Sequence, residues 1–489
     1  MTIRHFVFLI LCLAFSQNIY TQADTLNLDL VQVVVMAETG SPQAQIAETR
    51  LSNNYWRNQS FLADYKPQFT LTGNLPNFNR TIDPITLPDG GISFISRSIM
   101  NNNMGISLGQ SIPQTGGRIS ATTGIRRIDI FNENAETISS YLSNPISINF
   151  IQPILGFNQM KWDRMISPLE YEEAKRGYNE EKAGIAYQAT VRFFNVLIAQ
   201  LNVEAAFKNK ANADTLYQIS ESRYQVGKIA ETELLQIELN ARNAEADLVN
   251  SQFNLENSSE ELRNFLGIQT ATWFQLTPPF ELPNYDVDAQ LALDYARKYR
   301  SATVEFQRRV LEADQIIAQA KGETGFRADL FISFGLSQTS DKLGQSFQNL
   351  IDQEQVQVGI TVPIADWGKT KARLAIADSN SELIRRQVEQ DEVNFDREII
   401  IKVQQFKQVR QQALLAQRSY DIALKRLDIT RKRYRIGKID VTDLNLAINE
   451  EANSRRTYIN ALRSFWEATY DLRRITLYDF ENGRALIRE

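Results

Sequence analysis

Residue types suited to catalysis are nearly absent from this sequence. Its 489 residues hold one histidine, His5, and one cysteine, Cys12, and both fall in an N-terminal stretch that reads as a cleavable secretory signal. Arg4 precedes the apolar run Phe6–Phe15, and Thr21-Gln22-Ala23 offers a small-residue cleavage site, so residues 1–23 are expected to be removed as the protein leaves the cytoplasm. Cys12 follows Leu11 rather than a small residue, which argues against a lipid anchor. Without that segment there is no thiolate nucleophile, disulfide, Ser-His-Asp triad, or zinc site built on imidazole or sulfur. Carboxylates remain. The neighbouring pairs Glu172-Glu173 and Glu180-Glu181 diverge when placed on a helix, so neither pair converges on one substrate. The expectation is a protein that is not an enzyme, with no cofactor and no metal site.

Charge and composition narrow the class further. Net charge is −5 for the whole chain, and one unit more negative without the signal, which carries Arg4 and no acid. No basic stripe interleaved with aromatics appears, so nucleic acid is not an expected partner. Only 13 prolines and 22 glycines punctuate the chain, which suits a few long helices rather than many compact domains. After the signal, no segment approaches 18 consecutive apolar residues; a membrane would have to be crossed by β-strands.

The elements that position these residues come in duplicate. Arg223-Tyr-Gln-Val-Gly-Lys-Ile-Ala-Glu-Thr-Glu-Leu234 returns as Arg433-Tyr-Arg-Ile-Gly-Lys-Ile-Asp-Val-Thr-Asp-Leu444, an offset of 210 (433 − 223) that also carries Pro153 to Pro363, Asn243 to Asn453 and Leu262 to Leu472. Upstream of the strands the offset is 260, as in Ser41 with Ser301, so the first half holds 50 extra residues (260 − 210). Proline is absent from Asn158 to Val226 except at Pro168, and from Asp366 to Ile436 altogether, which predicts helices of about 100 Å. Helices of that length call for coiled-coil packing. Heptad seams are present: Ala413, Ala416, Tyr420, Ala423, Leu427, Thr430 and Tyr434, and in the first copy Val203, Ala206, Lys210, Ala213, Tyr217, Ser220 and Tyr224, with Lys210 the exception. The returning helices answer with Tyr458, Ala461, Phe465, Ala468 and Leu472, and with Leu248, Ser251, Leu255, Ser258 and Leu262.

Each hairpin tip has readable turn chemistry. Gly227 and Gly437 suit the left-handed conformation that ends a helix; Thr232 and Thr442 suit the cap of the next; Glu233 and Asp443 then fall in its first turn, where the helix dipole favours an anion. Turn formation does not demand the recurring pairs Lys228-Ile229 and Lys438-Ile439. A repeated apolar residue exposed at a tip points to docking.

Before each long helix lies an alternating segment. Ile146, Ile148 and Phe150, then Val356, Val358, Ile360 and Val362, face one way, and Ser147, Asn149, Gln357 and Thr361 face the other. Phe69 and Leu71 alternate similarly with Thr70 and Thr72, and Leu330, Ile332, Phe334 and Leu336 with Ser333 and Ser337. No amphipathic helix is spare to cover such a sheet. The extra residues centre on Met104–Pro113, Thr115-Gly116-Gly117 and Ile119–Ile125, a hairpin that either extends the extracellular end or adds strands to the wall. One chain thus offers four, at most six, membrane-length strands. Closed transmembrane barrels start at about eight, and open edges in lipid cost several kcal/mol per unpaired group, so the barrel must be shared between subunits.

The expected division is a signal peptide at 1–23, a helical segment at 24–66, barrel strands with the extra hairpin at 67–153, and the first helical hairpin at 154–275. A linker at 276–288 leads to a helical segment at 289–326, strands at 327–363, the second helical hairpin at 364–478 and a tail at 479–489. The fold class is mainly α with a membrane β part.

In this order and duplicated, the tips, the junctions Gln152-Pro-Ile-Leu-Gly-Phe157 and Val362-Pro-Ile-Ala-Asp-Trp-Gly368, and Glu261-Leu-Arg-Asn-Phe-Leu-Gly267 carry a family resemblance. The chain resembles the TolC-like outer membrane efflux proteins. The resemblance implies a homotrimer whose four strands per chain make a twelve-stranded barrel in outer membrane lipid, continued by an α-helical barrel through the periplasm. It implies that Gly227, Lys228, Ile229 and Thr232, with Gly437, Lys438, Ile439 and Thr442, meet a periplasmic adaptor serving an inner-membrane efflux pump or ABC transporter. It also implies that Asp443, with Glu233 in the first copy, lines the periplasmic pore entrance beside Tyr434, which belongs to the heptad seam as well. Two positions depart from the family pattern: Leu446 stands where a second entrance acid is expected, and Ile439 where a basic residue is. The function implied is a passive exit duct for efflux or secretion; the rival is a periplasmic coiled-coil scaffold or adhesin without a pore.

Overall fold

The structure, a computed structural model, describes residues 25–131, 136–270, 272–436, 438–439 and 441–487; the signal segment lies outside these. The order is β1 (Thr25–Leu28), α1 (Leu30–Gly40), α2 (Pro42–Asp64), β2 (Gln68–Asn74), β3 (Phe78–Thr86), β4 (Ile92–Ile112), β5 (Gly117–Phe131), β6 (Ile138–Leu155), α3 (Gln159–Gln225) and α4 (Glu231–Leu266). Then follow β7 (Trp273–Leu276), α5 (Ala289–Tyr299), α6 (Ser301–Thr324), β8 (Arg327–Ser340), β9 (Ile351–Thr361), α7 (Lys369–Arg435) and α8 (Val441–Thr476). The duplication is visible in the lengths: α3 and α7 have 67 residues each, and α4 and α8 have 36 each. Their starts keep the offset of 210.

Upstream, the structure shifts the repeat register by one residue. Asp29 caps α1 by accepting from the Gln32 amide at 2.8 Å, and Asp288 caps α5 by accepting from the Leu291 amide at 2.9 Å. Both caps are the third residue before their donor, which pairs Asp29 with Asp288 at an offset of 259, not the 260 of Ser41 with Ser301. Asp at this position satisfies an amide that the helix itself leaves without an acceptor.

The chain divides into two compact units. One comprises the described residues of Met1–Arg50, Arg176–Arg300 and Phe395–Glu489. Its core is aromatic: Phe193 and Phe194 of α3, Phe406 of α7 and Phe465 of α8 are fully buried, together with Leu30 and Val33 of α1 and Leu262 of α4. Edge-to-face packing at 5.3 Å between Phe193 and Phe194 is the geometry that ring quadrupoles favour. A short parallel pair, β1 with β7, borders this core.

The other unit, Leu51–Lys175 and Ser301–Asn394, holds the sheet. Its antiparallel strands run in the order β2-β4-β5-β6-β8-β9, and β3 continues along the edge of β4 beyond β2. The extra hairpin pairs Met104 with Ile125 and Ile112 with Gly117, with Gly116 at φ 75 in its turn. It sits inside the sheet, between β2 and β6, so the sheet is six strands wide, the upper bound from the sequence. Cross-strand register sorts the two faces. One row runs Gln68, Gly109, Ser120, Asn149, Ser333, Gln355; the next runs Phe69, Leu108, Ala121, Ile148, Phe334 and ends on Glu354. The apolar side chains are bare, with Phe69 76% and Val356 72% exposed. Helix α6 packs on α3 and α7 through ion pairs of Arg308 with Glu173 (2.7 Å), Arg309 with Asp391 (2.8 Å) and Asp314 with Arg385 (2.6 Å). Gly322 of α6 lies so close to Phe157 that a Cβ there would come within 2.5 Å of the Phe157 amide nitrogen.

Candidate docking tips and pore entrance

The first tip is a tight helix-ending turn. Gly227 has φ +68; its amide donates to the Tyr224 carbonyl at 2.8 Å, and the Lys228 amide donates to the Arg223 carbonyl at 2.9 Å. This paired closure of the last carbonyls needs a residue at positive φ, which glycine adopts without a Cβ clash. At the second tip the Lys438 amide donates to the Arg433 carbonyl at 3.0 Å. Gly437 itself and the side chain of Thr442 lie outside the described residues.

The expected threonine caps are corrected. Ala230, in extended conformation at φ −78 and ψ 155, is the residue before α4, and its side chain makes no cap hydrogen bond. The chain turns into the helix two residues earlier than Thr232, which therefore lies within the first turn; Thr442 holds the same place in α8. Glu231 and Glu233 stand in the first turn of α4 and Asp443 in that of α8, where they complement the helix dipole.

Exposure at the tips also departs from the sequence reading. Lys228 and Lys438 are exposed, but Ile229 and Ile439 are half-buried. The bare apolar residues are Val226 and Ile436, each 66% exposed and 210 positions apart, directly before the two glycines. Their signal was present in the duplicated stretch, as the Val-Gly and Ile-Gly steps. Behind the tips, the seams bury Ala206, Ser220, Ala413, Ala423, Leu427, Tyr458, Phe465 and Leu472. Lys210, the odd seam residue, is half-buried and holds Asp214 at 2.6 Å. Tyr434 is exposed, as is its repeat mate Tyr224.

The carboxylate pairs split as helical geometry requires. Glu172 meets Lys175 at 2.6 Å whereas Glu173 meets Arg308; Glu180 meets Arg300 at 3.7 Å whereas Glu181 pairs with Arg50. Each pair is divided between different cations. Among the described residues no group of three or more acidic, histidine or cysteine side chains is placed to hold a metal ion, and no helix is long and apolar enough to cross a membrane.

Two long helical hairpins, each preceded by strands with one bare apolar face, are the architecture of an outer membrane channel subunit. The chain belongs to the outer membrane efflux protein family, which matches it twice, over residues 118–268 and 326–476, once per repeat. Among solved structures it is similar to the CmeC outer membrane channel of Campylobacter jejuni, with TM-score 0.63 and 16% identity over 94% of this chain and 87% of that one. It is likewise similar to the outer membrane channel OprN, with TM-score 0.60 and 16% identity over 91% and 89% of the two chains. The outer membrane protein VceC of Vibrio cholerae gives TM-score 0.55 and 15% identity over 93% and 96%. At such identities the likeness is one of fold. No curated protein matches the sequence.

Proposed function

We propose that this chain is one subunit of a trimeric exit duct in the outer membrane of a Gram-negative cell, serving efflux or secretion with a periplasmic adaptor and an inner-membrane pump. The observation that carries it is the sheet: an apolar face left bare across six strands, ending in two open edges. Strands β2 and β9, at opposite edges, are exposed along nearly their whole length. In lipid such edges must be paired, because each unsatisfied backbone group costs several kcal/mol there. The helices support the same reading. Leu415, Ile422 and Ile429 of α7, with Ile436 directly after its end, recur every seven residues and are exposed, two positions round from the seam that packs within the chain. A second heptad stripe calls for a second helical partner, and another copy of this chain supplies it.

In this reading the tips dock the adaptor through Val226 and Ile436, with Gly227, Lys228, Ile229 and Thr232 and their second-copy mates Gly437, Lys438, Ile439 and Thr442 around them. Glu233 and Asp443 form a carboxylate ring at the periplasmic mouth, near Tyr434, that favours cations. Replacing both acids with their amides and recording ion selectivity in planar bilayers tests the ring: cation preference should fall, and unchanged selectivity would leave the acids with helix stabilisation alone. Membrane fractionation tests the duct against a scaffold or adhesin without a pore. A duct requires detergent for extraction, and a scaffold does not.

A further inference from the structure

We propose that each copy contributes six strands to the membrane wall, so that three copies enclose eighteen strands rather than the twelve implied by family resemblance. The inference rests on the duct reading and widens its bore. Its basis is the position and chemistry of the inserted strands. The upstream offset of 259 places Phe69 and Leu71 of β2 on Ala328 and Leu330 of β8, and the offset of 210 places Ile146, Ile148 and Phe150 of β6 on Val356, Val358 and Ile360 of β9, face for face, so β2 and β6 are the repeat mates of β8 and β9. What the first half adds is therefore β3, β4 and β5, inserted between β2 and β6.

That unit has the chemistry of a wall. Its lipid-side positions Met104, Ile106 and Leu108 on β4 and Ile119, Ala121 and Ile125 on β5 are apolar, and the row through Leu108 and Ala121 runs in register from Phe69 on one side to Ile148 and Phe334 on the other. Its other face joins a row of Thr70, Ser107, Thr122, Ser147, Gly335 and Gln353, in which every residue is polar or glycine. A loop standing clear of the membrane has no need of such two-faced order across all six strands. Length agrees as well: β4 has 21 residues, about twice the 9–11 that cross a bilayer, so its β2-paired half spans while its β3-paired half projects beyond. Parity allows closure. Six alternating strands leave β2 and β9 running in opposite directions, so β9 of one copy meets β2 of the next antiparallel, with no bulky connection to cross.

The sequence after the signal has no cysteine, so introduced pairs form the only possible bridges. Three pairs of directly opposed positions, T70C with S107C, S107C with T122C, and T122C with S147C, test the order β2-β4-β5-β6 in outer membranes of cells producing the full chain. All three are expected to form bridges within one chain of the folded trimer. A bridge between T70C and S147C would overturn the inference, because it puts β2 directly beside β6 and the hairpin outside the wall. Polymer exclusion from the outer face of single channels gives a second reading: a bore about 1.5-fold wider than a twelve-stranded barrel is expected, since diameter grows roughly linearly with strand number. A twelve-strand threshold overturns the inference while sparing the duct; absence of both trimers and conductance overturns both.

Discussion

Val226 stands bare beside the helix-ending Gly227, its repeat mate Ile436 is equally bare, and nothing in the turn itself requires them. Substituting both with aspartate is expected to leave helical melting within about 0.5 kcal/mol of the parent, since they touch little in the chain. Capture of the adaptor should fall by tenfold or more. Equal capture by parent and variant would remove the tips from the docking surface. Asp479 presents the opposite case, almost fully buried beside Arg473 at 2.8 Å. Burial works to raise its carboxyl, but hydrogen bonds from Asn482 and the charge of Arg473 outweigh it and hold the group below its ordinary value. A lowered folded value stabilises the protein above the unfolded pKa of about 3.9, and the contribution is lost as pH falls through the folded value. Asp479→Asn should therefore cost on the order of 3 kcal/mol at neutral pH. In thermal unfolding, the gap between variant and parent should close below about pH 4. At this scale the sequence was only partly legible. Gly227 and the first-turn acids were readable because their roles are local, but the cap fell on Ala230, set by backbone conformation rather than by side-chain type. Which of two apolar residues at each tip is bare depends on how the turn folds back, and composition does not carry that.

Elements were more legible, because periodicity reports burial directly. Seam residues such as Ala413, Leu427 and Phe465 are buried as their heptad spacing predicts. The extra hairpin pairs Met104 with Ile125, the two ends of the segment that alternation marked out. What alternation left open was the neighbour of that hairpin, since a membrane strand and a projecting strand show the same period of two. Close packing of α6 on the strand-to-helix junction was also invisible, because Gly322 gives no signal distinct from any other helical glycine. Gly322→Ala is expected to destabilise by about 1–3 kcal/mol through overpacking against the Phe157 backbone. A lowered unfolding temperature that a second change, Phe157→Ala, fails to relieve would support this. The clash is with the backbone nitrogen, not the ring. An unaltered unfolding temperature would show that the junction yields at little cost.

For the whole molecule, the two repeats differ where a ring of copies would need them to. Phe157 is half-buried, whereas its repeat mate Trp367 is 98% exposed. In the first repeat the junction packs on α6 of the same chain; in the proposed trimer, the internal symmetry assigns the second junction to α2 of the next copy. Trp367→Ser should leave the subunit folded and weaken the trimer by on the order of 3 kcal/mol per copy. Dissociation temperature in detergent reports it; a trimer as heat-resistant as the parent would place Trp367 outside the subunit contact. The central claim, that copies of this chain jointly form an outer membrane pore, is tested most directly by reconstituting the purified protein in planar lipid bilayers with its oligomeric mass measured in the same detergent. Discrete conductance steps from a particle of three chains are the predicted result. A protein that stays in solution without detergent, as a single chain that carries no current, would contradict the account.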